Sequence, residues 1–174
     1  MNSVEVQESV RHNEGTNYLG TTMNLVLASI CVLLLPMLAC AIHGDDVQKE
    51  LKALEGKWKA VSMEAGGTPL PKETLPEFIF TVGAGGKSTA QFGQTTDQAT
   101  ITVDPKSSPR TIDNLHESGA TKGKTQYGIY KLEGDKWTVC MTQPGVAASD
   151  RPKDFATKGT GNVVFVFERQ KAGK

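Results

Sequence analysis

The sequence predicts an all-β protein: an eight-stranded antiparallel up-and-down barrel with a short N-terminal helix, preceded by an apolar segment. Three observations lead there. From residue 57 onward, apolar and polar side chains alternate with period two in eight short runs. The eighteen glycines and eight prolines lie mostly between those runs, where turns are needed. The first run opens with Gly56-Lys57-Trp58 and the last closes with Phe167-Glu168-Arg169. An arginine therefore ends the strand that must meet the tryptophan's strand for the sheet to close. Closure removes exposed edges, and eight strands leave an interior that is either filled or holds one small ligand.

Composition narrows the function. The 174 residues carry nineteen Lys and Arg against nineteen Asp and Glu. Setting residues 1–44 aside leaves eighteen basic and sixteen acidic side chains, a formal +2 that makes no electrostatic case for nucleic acid. What remains is one domain by size. Of the three cysteines, at 31, 40 and 140, only Cys140 belongs to that domain, so it holds no internal disulfide and stands on its core. His12, His43 and His116 are too scattered for a local metal motif. No metal, no cofactor and no enzymatic activity are expected, and the domain is expected to be monomeric.

The apolar segment has three readings. Between residues 25 and 42 only Ser29 is a polar side chain, Pro36 is expected to end the first helical stretch, and Ala39-Cys40-Ala41 follows. Residues 23–41 thus read as a signal peptide cleaved near Ile42. Met37-Leu38-Ala39-Cys40 partly matches a lipobox, which would place lipidation at Cys40. Left uncleaved, the run spans about 27 Å as a helix, just the hydrocarbon thickness of a membrane. Residues 1–22 read as a disordered leader or a mis-assigned start upstream of Met23, and no basic n-region precedes the apolar run. All three readings export the protein, to periplasm, cell surface or a membrane anchor, with envelope association through the N-terminus.

The domain itself is placed at residues 45–170. Asp45-Asp46 is expected to cap a short helix that presents Val47, Leu51 and Leu54 on one face before Gly56 stops it. This helix is the expected lid or plug. Strands are expected at 57–65, 78–82, 87–92, 100–104, 111–116, 125–132, 137–142 and 162–169. Most connections are short enough for hairpins. If Trp58 and Arg169 point inward, parity brings Ala60, Ser62, Val163, Phe165 and Phe167 inward as well, with Phe78 and Phe80 facing the same interior.

Several motifs resemble chemistry and have simpler readings. Gly83-Ala84-Gly85-Gly86-Lys87-Ser88 ends like a phosphate loop but precedes a strand, so a glycine hairpin is expected. Cys140 in mid-strand is expected to be a buried, inert thiol. Asp113, His116 and Ser118 lie too close along one strand and turn to form a triad, which leaves His116 as a surface histidine. The loop at 143–161 is longer than a hairpin needs. In it Arg151 and Phe155 either contact a ligand, or pin the loop, with Phe155 at the barrel mouth and Arg151 on Asp150 or Asp154.

The motifs Leu54-Glu55-Gly56-Lys57-Trp58, Lys122-Gly123-Lys124, Gly128-Ile129-Tyr130, Val139-Cys140, Pro144-Gly145, Arg151-Pro152-Lys153-Asp154-Phe155 and the terminal Arg169 together resemble the lipocalin-like domain of uncharacterised exported planctomycete proteins. The resemblance spans residues 54–169. It implies a lipocalin-like barrel in which Trp58 packs under Arg169, and it implies no established activity. The second lipocalin signature, between the sixth and seventh strands, is absent.

Two functions from different classes follow. In one, the barrel binds a small apolar ligand, with Ser62, Phe78, Phe80, Tyr130, Arg151 and Phe165 as ligand-binding residues and specificity set by the loops at 66–76 and 143–161. In the other, the barrel is filled and acts through its loops as a cell-envelope interaction domain.

Overall fold

The computed structural model describes residues 35–171. Contacts divide the chain into Met1–Ala41 and Ile42–Lys174, and the barrel lies in the second unit. Signal cleavage, the start at Met23 and lipidation of Cys40 concern residues 1–34 and side chains before Gly44, which lie outside the described residues.

Helix α1 (Leu35–Leu54) begins upstream of Asp45-Asp46 rather than at that pair. Pro36 lies within its range, and the helical stretch that Pro36 is expected to end lies outside the described residues. Leu51 and Leu54 are buried and Val47 packs beside them, the face that their spacing predicts. No helix among the described residues is long and apolar enough to cross a membrane.

The strands are β1 (Gly56–Ala65), β2 (Thr68–Pro69), β3 (Phe78–Val82), β4 (Lys87–Phe92), β5 (Thr95–Asp104), β6 (Arg110–His116), β7 (Thr125–Glu133), β8 (Lys136–Met141) and β9 (Val163–Arg169). Eight of them form an all-antiparallel sheet in the order β1-β3-β4-β5-β6-β7-β8-β9, and β9 returns to pair with β1. The barrel is closed. The two-residue β2 is an addition: it pairs with Glu64 and Ala65, beyond the stretch of β1 that β3 covers.

One irregularity changes the expected interior. Ala60 pairs with Phe167 but Ser62 pairs with Val166, because a bulge at Val61 inserts one unpaired residue. A one-residue shift moves every later side chain to the other face. Met63 and Ala65 therefore face inward beside Phe165 and Val163, and Ser62 faces outward. As a cavity residue, Ser62 is corrected.

The core runs the length of the barrel. Leu51 and Leu54 from α1 meet Trp58, Val103 and Tyr130 at one end, and aromatic rings fill the middle. Trp137 is the hub, with ring centroids 5.4 Å from Trp58, 5.6 Å from Phe80 and 5.6 Å from Phe167. Phe78 sits 5.3 Å from Phe165 and 5.4 Å from Phe167, nearer the far end. These tilted and edge-on arrangements suit ring quadrupoles better than a face-to-face sandwich does.

Strand β5 is longer than the sequence suggested, starting at Thr95 rather than 100. Its first four residues, Thr95-Thr96-Asp97-Gln98, are all polar, so they carry no alternation. They form strand because Phe92 and Thr95 pair across a two-residue turn at Gly93-Gln94.

Candidate functional site

The two ends of the barrel differ. At the helix end, Arg169 stacks on Trp58 with its guanidinium carbon 4.0 Å from the ring centroid. The same guanidinium donates to the carbonyls of Glu55 and, at 2.7 Å, Ala53, and Trp58 Nε1 donates to Leu54 O at 2.8 Å. One cation thus caps carbonyls in the last turn of α1 while covering the tryptophan. The pairing expected from the sequence is present.

Tyr130 also points inward, but into this closed end. Its hydroxyl donates to Glu50 Oε1 on α1 at 3.0 Å, and Arg110 Nη1 donates to the same oxygen at 2.7 Å. Burial, with Glu50 beside it, pushes the phenol well above its usual range. Tyr130 is tied to α1 and does not line the cavity above Trp137.

Above Trp137 the barrel opens into a cavity of about 260 Å³. Phe78, Phe80, Phe165 and Phe167 form one wall, and Ile101, Ile112, Val139 and Met141 continue it. The three phenylalanines assigned to a ligand from sequence, Phe78, Phe80 and Phe165, all line it. Phe92, half exposed, stands at the mouth. Gly128 lets Met141 lie close against β7: a Cβ there would lie 2.6 Å from Cys140 O and 2.2 Å from Met141 Sδ.

The polar side of the mouth comes from Thr95, Asp97, Asn114, His116 and Gln126 on β5, β6 and β7. His116 is therefore not a plain surface histidine. Gln126 Nε2 donates to Thr142 O at 2.7 Å, which turns Gln126 Oε1 toward His116 Nε2 at 3.3 Å. That contact needs a proton on Nε2, so the neutral ring keeps Nδ1 as an acceptor. Asn114, 8 % exposed, has no hydrogen-bond partner for Oδ1, and Trp137, 1 % exposed, has none for Nε1. Buried polar groups are seldom left this way. Asp97 makes no ion pair or side-chain hydrogen bond among the described residues.

No residue of 66–76 or 143–161 lines the cavity. The long loop instead runs as a strap over the outside of the barrel. Arg151 reaches Asp113 Oδ1 at 2.6 Å, donates to Ile112 O and Gly128 O at 3.2 and 2.9 Å, and lies 5.1 Å from the Tyr127 ring centroid. It does not line the cavity, and its ion pair is with Asp113 rather than with Asp150 or Asp154. Phe155 packs on Ile129, Cys140 and Val164, on the outer wall rather than at the mouth. Thr157 donates to Glu64 Oε1 at 2.6 Å and accepts from Gly67 N at 2.8 Å.

The residues of the rejected triad diverge. Asp113 holds Arg151, His116 meets Gln126, and Ser118 accepts from Gln98 N at 2.6 Å. The glycine segment closes the β3 to β4 hairpin, and Lys87 bonds Glu117 and Thr100. Among the described residues no group of three or more His, Cys, Asp or Glu could hold a metal ion.

Cys140 is fully buried beneath the strap. Burial first, then Asp154 and Glu64, pushes its thiol from 9.0 up to about 11. Between those values the unfolded chain binds fewer protons than the folded one, so stability falls as pH rises across the window. Urea midpoints measured from pH 8 to 11 should fall more steeply for the wild type than for Cys140→Ala. Equal slopes would remove this assignment.

What the sequence missed is the polar rim. Asp97 and Asn114 face inward on strands whose polar content hid them, and the only local signal was their two-residue offset from Ala99 and Ile112. No family model, curated protein sequence or solved structure matches this chain.

Proposed function

We propose that the protein is an exported, lipocalin-like barrel that carries one small, mostly apolar ligand in its open half. The cavity is the observation that supports this reading. It measures about 260 Å³, its wall is largely aromatic and aliphatic, and five polar residues gather at one side of its mouth. A concave apolar pocket with a few convergent polar groups is the usual form of a small-molecule site. At ~30 Å³ per water the space equals roughly nine waters, which suits one ring and its substituents better than a long acyl chain. Export rests on the apolar N-terminal segment and on the resemblance of residues 54–169.

Ala90 lines the cavity, whereas the equally small Ala60 lies outside it, beside Phe167. Titration with an environment-sensitive apolar dye should saturate for the wild type. Ala90→Phe, placing a ring in the space, should weaken uptake at least about tenfold while the barrel stays folded. Without saturable uptake by the wild type, or with uptake unchanged in folded Ala90→Phe, the loop-mediated envelope interaction domain becomes the better reading.

A further inference from the structure

The mouth of the cavity is chemically one-sided. Asp97 offers two carboxylate oxygens and Asn114 an unpartnered Oδ1, and a His116 ring protonated at Nε2 alone would add Nδ1. The acceptors outnumber the donors, which are the Asn114 amide and the Thr95 hydroxyl. Asp97 is the one Asp, Glu, Lys or Arg lining the cavity, and no cation among the described residues neutralises it. On the neighbouring strand its register partner is Ala90, flanked on the mouth side by Phe92, whose ring lies 5.7 Å from that of Phe78. A carboxylate beside an aromatic wall is an arrangement that attracts a compact cation: the charge attracts it directly and the ring faces add a cation–π contribution.

From this geometry we infer that the ligand is a small ring-bearing amine, bound with its ring against Phe78, Phe165 and Trp137 and its ammonium group at the mouth between Asp97 and Asn114. The inference rests on the ligand-carrying reading above and specifies it. The ammonium supplies the donors that Asn114 Oδ1 and Asp97 lack, and the ring offers a π face to the unpartnered Trp137 Nε1–H. A carboxylate of the same size would face Asp97 with like charge. Gly119 lets the loop after β6 pass close to that carboxylate, since a Cβ there would lie 2.2 Å from Asp97 Oδ1. The side chain is thereby held at the rim by backbone packing rather than by a countercharge.

Calorimetric titration of the full chain with three probes of matched shape tests this: 2-phenylethylamine, 2-phenylethanol and 3-phenylpropanoate. The amine should bind at least about tenfold tighter than the carboxylate. Asp97→Asn should bring that ratio close to one, and Asp97→Glu, which keeps the charge, should retain most of it. Equal or tighter binding of the carboxylate overturns the inference, as does a preference that survives Asp97→Asn. If none of the three binds while the apolar dye still saturates, the amine inference falls and the ligand-carrying barrel stands. If the dye also fails, both fall.

Discussion

Trp58→Ala should lower the unfolding free energy by about 3–5 kcal/mol, the range for removing a large aromatic from a core. Trp58 is fully buried, stacks edge-on with Trp137 and bonds the last turn of α1, so its loss leaves a void beside the hub of the aromatic core. Arg169→Ala should cost about 1–2 kcal/mol, since the guanidinium is only partly shielded and part of its worth is stem packing. The two effects should not add, because each substitution removes the same 4.0 Å stack. Urea unfolding of both single variants and the double variant measures the coupling. A value near zero would mean that the stack contributes nothing to holding the closed end.

Arg151→Ala should cost about 2 kcal/mol, less than a fully buried pair because Arg151 and Asp113 are both partly exposed. Its effect should be local. The guanidinium carries one ion pair, two carbonyl contacts and the Tyr127 stack, and without it the Asp113 carboxylate is left partly buried and unpaired. The strap should lift from the outer wall before the barrel opens, uncovering Cys140. Thiol labelling assigned to Cys140 by mass spectrometry should then accelerate at least tenfold, roughly as a ~1.4 kcal/mol change in local opening requires. Labelling at the wild-type rate would show that Phe155 and Thr157 hold the strap without the arginine.

Alternation and turn residues made the eight strands and the Trp58–Arg169 closure legible, because both follow from local chemistry at fixed spacing. The bulge at Val61 was not, since nothing in Ala60-Val61-Ser62 marks one residue as unpaired, and that single insertion moved Ser62 to the outside. Tyr130 is buried in the core, but the sequence could not show that Glu50, eighty residues earlier, occupies its hydroxyl. Arg151 looked like a rim residue because its loop is long. Its partners lie on β6 and β7, and such pairing depends on how the chain wraps. The rim itself stayed hidden because an inward polar residue breaks the alternation by which strands are recognised.

Seven of the eight seams of this barrel join strands that follow one another along the chain, apart from the small β2, whereas the seam between β1 and β9 brings Trp58 to Arg169. That asymmetry governs the order of events in folding. Hairpins form quickly from local contacts, but a seam between the first and last strands must wait until the whole meander exists. Until then β1 and β9 are open edges, each a template on which another chain can pair. The arginine stack is therefore expected to be a late contact, made after the rate-limiting step. Its loss should be felt in how fast the barrel comes apart rather than in how fast it assembles. Chevron kinetics of Arg169→Ala should show a faster unfolding limb and an unshifted folding limb, and a slowed folding limb would place closure before the barrier. With the unfolding limb alone displaced, the final seam is what resists opening, and the residues at either end of the domain set the barrel's lifetime.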